Sequence, residues 1–277
     1  MSQKPILYYA LFSPPARACI LTATLIGLDV ELRAVDFSKR EHLSDEFIKL
    51  NPEHQIPVFV DTDGEVYVDS HAIVCFMVAK YAKTDQLYAK DLKRRAHIDH
   101  RLYYENGVLF PVIKDIVARN LYGGELEYNA CSVQLCQNAY ATLEHFLEQG
   151  SFVVGNELSV ADISINTTLI TLDLMLPVDR ERYPKIANWL QRMQQLLPDY
   201  EEINLKGAQS SAAAHRKPHG REQICKIKFQ NSKILTSTRP ICPGSDLIWT
   251  RNRWFLVDAH ILGVIIMKNV LGIGSEI

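Results

Sequence analysis

A chain of 277 residues, 47% of them apolar, is long enough to bury one large core or two smaller ones, which excludes a wholly disordered protein. Thirty Lys and Arg against 32 Asp and Glu leave a formal net charge of −2, so neither a broad basic face for nucleic acid nor an acidic tail is expected. Cys19, Cys75, Cys131, Cys136, Cys225 and Cys242 form no CxxC pair and no metal-ligand spacing, so reduced thiols in a cytoplasmic compartment are expected. The first residues show no basic region ahead of a longer apolar run, and no secretory signal is expected.

Residues 6–9 read as an apolar strand, after which Ser13-Pro14-Pro15 breaks the extension and opens a helix carried by Ala16, Ala18, Ile20, Leu21, Ala23 and Leu25 up to Gly27. Residues 30–35 alternate Val30, Leu32 and Ala34 with Glu31 and Arg33, the period of a strand. A short helix is expected over 43–50, ended by Asn51-Pro52. Residues 58–60 and 66–68 flank Asp61-Thr62-Asp63-Gly64-Glu65, a hairpin signature. Ser70 is expected to cap a helix with Ile73, Val74, Phe76, Met77 and Val78 on its apolar face. This order over residues 1–82 builds a small mixed sheet covered by helices.

After a polar link over residues 83–90 the pattern changes to long helical runs at about 91–121, 127–148, 159–174 and 183–197. They are too many to cover one small sheet, so a separate all-helical domain over 91–205 is expected. Ser159-Val160-Ala161-Asp162 reads as a capping box, with Asp162 structural rather than catalytic. Lys93, Arg94, Arg95, His97, His100 and Arg101 read as a solvated helix face. Residues 206–277 are an atypical extension: 209–220 are small and polar, and 221–253 hold strand-like pieces broken by Pro240 and Pro243. Residues 254–273 are apolar but carry Asp258, His260, Lys268 and Asn269, which disfavours a bilayer span.

Three segments carry groups suited to a ligand. Ser13 lies where a strand gives way to a helix, and a hydroxyl beside the positive end of a helix suits an anion or a thiolate, although a cap is equally served there. Ile56 directly precedes Pro57 and a strand; a cis bond there would turn the Ile56 N–H and C=O toward an extended peptide-like ligand. Asp69 suits an ammonium group while Ser70 and the helix start suit a carboxylate. Tyr8 and Tyr9 alternate along the first strand, so at most one faces a ligand. His71 and His97 have no zinc spacing, neither HExxH nor GxGxxG occurs, and no metal is expected.

The motif Phe12-Ser13-Pro14-Pro15-Ala16-Arg17-Ala18, followed by Leu50-Asn51-Pro52-Glu53-His54-Gln55-Ile56-Pro57 and Val68-Asp69-Ser70-His71-Ala72-Ile73, resembles the cytosolic glutathione transferases over about residues 4–202. Within them it is similar to the insect delta and epsilon classes, epsilon more closely. The resemblance implies an α/β thioredoxin-like N-terminal domain with a mixed four-stranded sheet, an all-α C-terminal domain, glutathione as co-substrate and a homodimer. It further implies that Ser13 donates its hydroxyl proton to the glutathione sulfur and that His42 and His54 reach the glycine end. Ile56, beside Pro57, would pair through its backbone with the cysteinyl unit, and Asp69 with Ser70 would hold the γ-glutamyl end. Asp69 stands where family members more often carry glutamate.

An apolar electrophile pocket is expected between the domains, from Leu11 and Phe12 and from Glu105, Val108, Leu109, Val112 and Ile113 on the first long helix. For Val108, Leu109 and Ile113 plain interdomain core is an equal alternative, and Val112 stands where family members often have arginine. The activity implied is conjugation of the glutathione thiolate to small apolar electrophiles, with peroxide reduction through the same thiolate. The alternatives are a non-catalytic carrier of sterol-like ligands and a specialised steroid-related glutathione-dependent enzyme. Neither nucleic acid nor membrane is an expected partner.

Overall fold

The computed structural model describes residues 4–118, 128, 130–215, 246–250 and 253–257. Strand β1 (Ile6–Tyr9) lies between β2 (Glu31–Ala34), to which it is parallel, and β3 (Val58–Val60), which is antiparallel to it and to β4 (Val66–Val68), giving the order β2-β1-β3-β4. A parallel pair demands a crossover, and helix α1 (Pro14–Ile26) supplies it. That helix stops at Gly27, whose φ of 70° is the left-handed cap conformation that only glycine adopts freely. As an edge strand β2 is exposed along its length, so Leu32, alternating as if inward-facing, is 44% exposed.

Two local expectations are corrected. The helix expected over 43–50 is α2 (Asp45–Leu50), preceded by a 3-10 turn, Glu41–Leu43, because the Ser44 side chain accepts from the Phe47 amide at 3.2 Å and starts the helix there. Helix α3 (Ser70–Tyr81) is capped by Asp69 and not by Ser70: Asp69 Oδ1 accepts from the amides of His71 at 2.8 Å and Ala72 at 3.2 Å. The cap must have non-helical backbone, and Asp69 is the residue that leaves the helix, with φ 67° and ψ 120°.

The helical half comprises α4 (Leu92–Tyr104), α5 (Phe110–Ala118), α6 (Ala130–Phe146), α7 (Val160–Met175), α8 (Pro184–Leu196) and α9 (Lys206–His215). The run expected as one helix from residue 91 is α4 and α5 joined by a π turn at Glu105–Leu109; its expected end, and the start of the next helix, fall outside the described residues. A second π turn, Glu201–Leu205, leads into α9. Helix α9 follows it directly and carries the helical run of this unit to His215. Ala208, Ser211 and Ala212 of α9 are buried, because small side chains let it pack directly on α7. Chain 1–219 is one compact unit; in the second, 220–277, β5 (Asp246–Thr250) pairs antiparallel with β6 (Arg253–Val257), and the remaining expectations for the extension fall outside the described residues.

Helix α7 is the axis of the first unit, packed against α1, α3, α4 and α9. One continuous apolar core runs from Leu7, Leu21, Ile73 and Met77 through Ile98, Leu109 and Leu143 to Ile163, Leu169 and Trp189. Arg101, read as part of a solvated basic face, is buried instead, with Nε donating to the Val153 carbonyl at 3.0 Å and its guanidinium over the Phe146 ring, while His97 is exposed. Among the described residues Cys19, Cys75 and Cys136 carry free thiols, whereas Cys131 is disulfide-bonded, so the reduced state expected for the cysteines does not extend to Cys131.

The start of α7 depends on one carboxylate. Asp162 is fully buried; its Oδ2 accepts from the Ser159 amide at 3.0 Å and the Ser159 hydroxyl at 2.8 Å, and its Oδ1 from the Val153 amide at 2.9 Å and Trp189 Nε1 at 3.1 Å. Burial pushes its pKa up against the pull of those donors. Asp162→Ala strands several buried donors at once and is expected to destabilise the fold by about 3–5 kcal/mol, read as a lowered denaturant midpoint at unchanged slope.

Candidate functional site

Three turns at one end of the sheet carry polar groups that the core does not use. At the end of β1 the chain turns through Leu11 and Phe12 into Ser13, the N-cap of α1, whose backbone is extended and whose Oγ accepts from the Ala16 amide at a long 3.4 Å. Its hydroxyl proton has no acceptor among the described residues, so it is free to be given to a ligand. Pro14 and Pro15 occupy the first two helical positions and carry no N–H. This helix start therefore offers its dipole and one hydroxyl, not the nest of amides expected at most helix N-termini.

The second turn ends in a cis Ile56-Pro57 bond, and the backbone N–H and C=O of Ile56 meet no partner among the described residues. Next to it, His54 is exposed with a positive φ of 47°. The third turn places Asp69 in a backbone region that costs a non-glycine residue about 1–3 kcal/mol, a strain opposed by the two amide bonds to its Oδ1. Asp69 Oδ2, the Ser70 hydroxyl and the Ser70 amide stay unpaired among the described residues. Asp69 thus presents one oxygen to an approaching cation while its neighbour presents donors to an anion.

His42 enters through a row of rings. It stacks on Phe37 at 4.1 Å and 14°, and Phe37 meets Phe12 edge-on at 5.1 Å, so the imidazole is tied to the residue before Ser13. Its Nδ1 is buried with no hydrogen-bond partner among the described residues, a position that a ligand polar group could satisfy. Tyr8 is directed elsewhere: its hydroxyl accepts from Arg33 at 3.0 Å and its ring packs on Phe47.

The residues expected to form an apolar pocket divide by exposure. Leu11, Phe12 and Val108 are 38%, 40% and 45% exposed, whereas Leu109, Val112 and Ile113 are buried in the continuous core. Glu105 is also buried. Its Oε2 lies 2.8 Å from His71 Nε2 and its Oε1 accepts from Thr168, which joins α3, the first π turn and α7 at one point. Two surface cavities, of about 480 Å3 beside Tyr8, Arg33 and Phe47 and about 210 Å3 beside Ile170, Leu190 and Tyr200, include none of the three turns. Among the described residues no three His, Cys, Asp or Glu side chains are grouped to hold a metal, and no helix is long and apolar enough to cross a membrane.

Sequence reasoning gave no task to Arg17, which is completely buried with no carboxylate partner. Nε donates to Asn204 Oδ1 at 3.1 Å, NH1 to the carbonyls of Leu11 at 2.9 Å and Phe12 at 3.2 Å, and NH2 to the Thr167 carbonyl at 2.8 Å and Thr171 Oγ1 at 2.5 Å. Burial pulls its pKa down to about 9, against the opposing pull of Tyr200, so the cation persists at neutral pH. The signal was present in the sequence: an arginine on the face of α1 that also carries Ala18, Ile20 and Leu21 has to be buried. Phe37 carried no comparable signal, because only the tertiary turn brings it under His42.

The sequence matches known protein families along most of this unit. Residues 7–85 match the model of the glutathione S-transferase N-terminal domain and residues 108–192 that of the C-terminal domain. Glutathione S-transferase 1 of Manduca sexta is 37% identical over 203 residues, spanning 73% of this chain and 92% of that protein. Among solved structures, an epsilon-class glutathione S-transferase from the housefly Musca domestica is similar with 38% identity and a TM-score of 0.74, covering 77% of this chain and 97% of that one. A glutathione transferase homolog from Drosophila mojavensis, with bound glutathione, is similar with 38% identity and a TM-score of 0.73 over 77% and 96% of the two chains.

The His71–Glu105 pair has a pH signature. Burial disfavours the charged imidazole, but the hydrogen bond and charge of Glu105, with the charge of Asp69, outweigh it and raise His71 above its ordinary 6.5. A raised folded value contributes stability that is fully present below about 6.5 and is lost as pH rises through the folded value. His71→Gln is expected to flatten the fall of Tm with pH over that window, measured by thermal unfolding in a buffer series.

Proposed function

The chain belongs to the glutathione S-transferase family, and from that premise we propose that it transfers the glutathione thiolate to small apolar electrophiles, with Ser13 as the residue that stabilises the thiolate. The observation that carries this role is the Ser13 hydroxyl, nearly buried at the mouth of α1 with its proton uncommitted. A free thiol has a pKa near 8.5 and is a few per cent ionised at neutral pH. A hydrogen bond to a charged acceptor is worth about 1.5–3 kcal/mol, and each pKa unit about 1.4 kcal/mol, so one hydroxyl supplies a shift of roughly one to two units.

The tripeptide would lie across the three turns. Its cysteinyl unit would pair with the free backbone of Ile56 beside Pro57, its γ-glutamyl end with Asp69 and Ser70, and its glycine end with His42, whose Nδ1 lacks a partner, and His54. The oxygen left free on Asp69 supports the ammonium contact despite a side chain one methylene shorter than glutamate. Leu11, Phe12 and Val108, being exposed, are the side chains that would receive the electrophile; Leu109, Val112 and Ile113 back them from the core. Glu105 acts through His71 and Thr168 rather than on the electrophile. The same thiolate would reduce peroxides. Assignment to the epsilon class is supported by the motif pattern and the epsilon-class neighbour; the homodimer and the cytoplasmic location are expectations from the family resemblance.

Ser13→Ala is expected to leave the dissociation constant for glutathione within about threefold, to lower kcat at neutral pH by roughly ten- to a hundredfold, and to move the alkaline rise of kcat/KM up by one to two pH units. Calorimetric titration and a pH series with a chromogenic aryl halide read all three. Wild-type turnover in the variant at every pH would defeat the role of Ser13. Tight binding of an apolar ligand by a wild-type protein without conjugating activity would favour a carrier.

A further inference from the structure

Helix α9 approaches the Ser13 turn more closely than a side chain would permit. A Cβ on Gly207 would stand 2.4 Å from the Leu11 carbonyl oxygen and 2.5 Å from Arg17 Cδ. Gly207 lies within an ordinary helix and lacks a left-handed φ, so backbone freedom does not account for glycine there. Glycine is disfavoured inside a helix relative to alanine, and the gain that offsets this is space for the Leu11 carbonyl.

Arg17 grips that same turn. It holds the Leu11 and Phe12 carbonyls while its other donors reach Thr167 and Thr171 on α7 and Asn204 in the second π turn, and Asn204 Nδ2 continues to Asn166 Oδ1 at 2.8 Å. The Phe12–Ser13 peptide is thereby fixed at both ends: its C=O by Arg17, its N–H by the Ala10 carbonyl at 3.0 Å. With that plane fixed, the direction of the Ser13 Cα–Cβ bond is narrowly determined.

We propose that Arg17 is a positioning residue for Ser13, and that Gly207 is the gap through which α9 registers against the same turn, so that the C-terminal end of the helical domain sets where the Ser13 hydroxyl stands. The inference rests on Ser13 being the thiol-activating group. A displacement of about 1 Å at a reacting group can cost on the order of a hundredfold in rate.

The test uses the full chain carrying Gly207→Ala, Arg17→Lys or Arg17→Met, with kcat, KM for glutathione, the pH profile of kcat/KM and hydrogen exchange of the amides over residues 11–17. Gly207→Ala is expected to lower kcat roughly tenfold, to hold KM for glutathione within about twofold because the other turns grip its ends, to move the pH profile upward and to speed exchange in the turn. Alanine normally strengthens a helix, so a glycine with open space beside it would show none of this, and a clash without a positioning role would slow the turnover without moving the pH profile. Arg17→Met should exceed it, and Arg17→Lys, which keeps the charge but not the fork, should fall between Met and wild type. Where Arg17→Met does not fold, Gly207→Ala decides. Wild-type kcat, pH profile and exchange in a folded Gly207→Ala protein would overturn the proposal. A wild-type chain that fails to ionise glutathione removes the proposed function instead, and the exchange of residues 11–17 still decides whether Gly207 and Arg17 hold the turn.

Discussion

A guanidinium without access to water has to satisfy five N–H donors and one positive charge from inside the protein, and Arg17 does so without a carboxylate. Every acceptor is a neutral oxygen, on the Ser13 turn, on α7 or in the second π turn. Leaving any donor unpaired in such a place costs about 1–3 kcal/mol, so these three segments cannot drift independently. The sheet half and the helical half therefore share more than an apolar seam. Asp162 plays the corresponding part for the other end of α7: one buried carboxylate gathers Ser159, Val153 and Trp189.

An anion site at a helix start usually draws on several free amides. Here Pro14 and Pro15 remove two of them, so the positive potential near Ser13 comes from the helix dipole and from the uncompensated charge of Arg17 one turn away. Proline at these positions also fixes φ in advance, which keeps the helix start, and with it the Ser13 hydroxyl, from fraying. The third turn reaches its geometry by the opposite route. Asp69 sits in strained backbone and is held by two amides of the helix it caps, while His71, two residues on, ties that helix start to Glu105.

Much of this was legible in the sequence. The β1–α1 boundary at Ser13, the hairpin around Gly64 and the capping box at Ser159 each rest on local chemistry, and local chemistry is what a sequence displays. The α3 cap was misplaced by one residue because the sequence does not show which backbone leaves the helix when Asp and Ser stand side by side. Lys206–His215 is serine- and alanine-rich with one glycine and no apolar face to announce a helix; it is helical because small residues are what close packing against α7 and the Leu11 carbonyl requires. The pairing of Arg17 with Asn204, 187 positions apart, has no local signature at all.

The division of the apolar candidates by burial bears on selectivity. With Leu109, Val112 and Ile113 in the core, the side chains left to meet an electrophile under the proposed activity are Leu11, Phe12 and Val108, none of which offers a hydrogen bond. An apolar slot of this kind distinguishes ligands by shape and area at about 25 cal/mol per Å2, and a single methylene is worth only about 1–3 kcal/mol. High discrimination would need a buried polar group left unpaired by the wrong substrate, and Glu105, the polar residue expected in the pocket, is already engaged by His71 and Thr168. On the proposed activity, selectivity for the thiol donor resides in the three polar turns, and tolerance toward the acceptor follows from the three exposed apolar side chains.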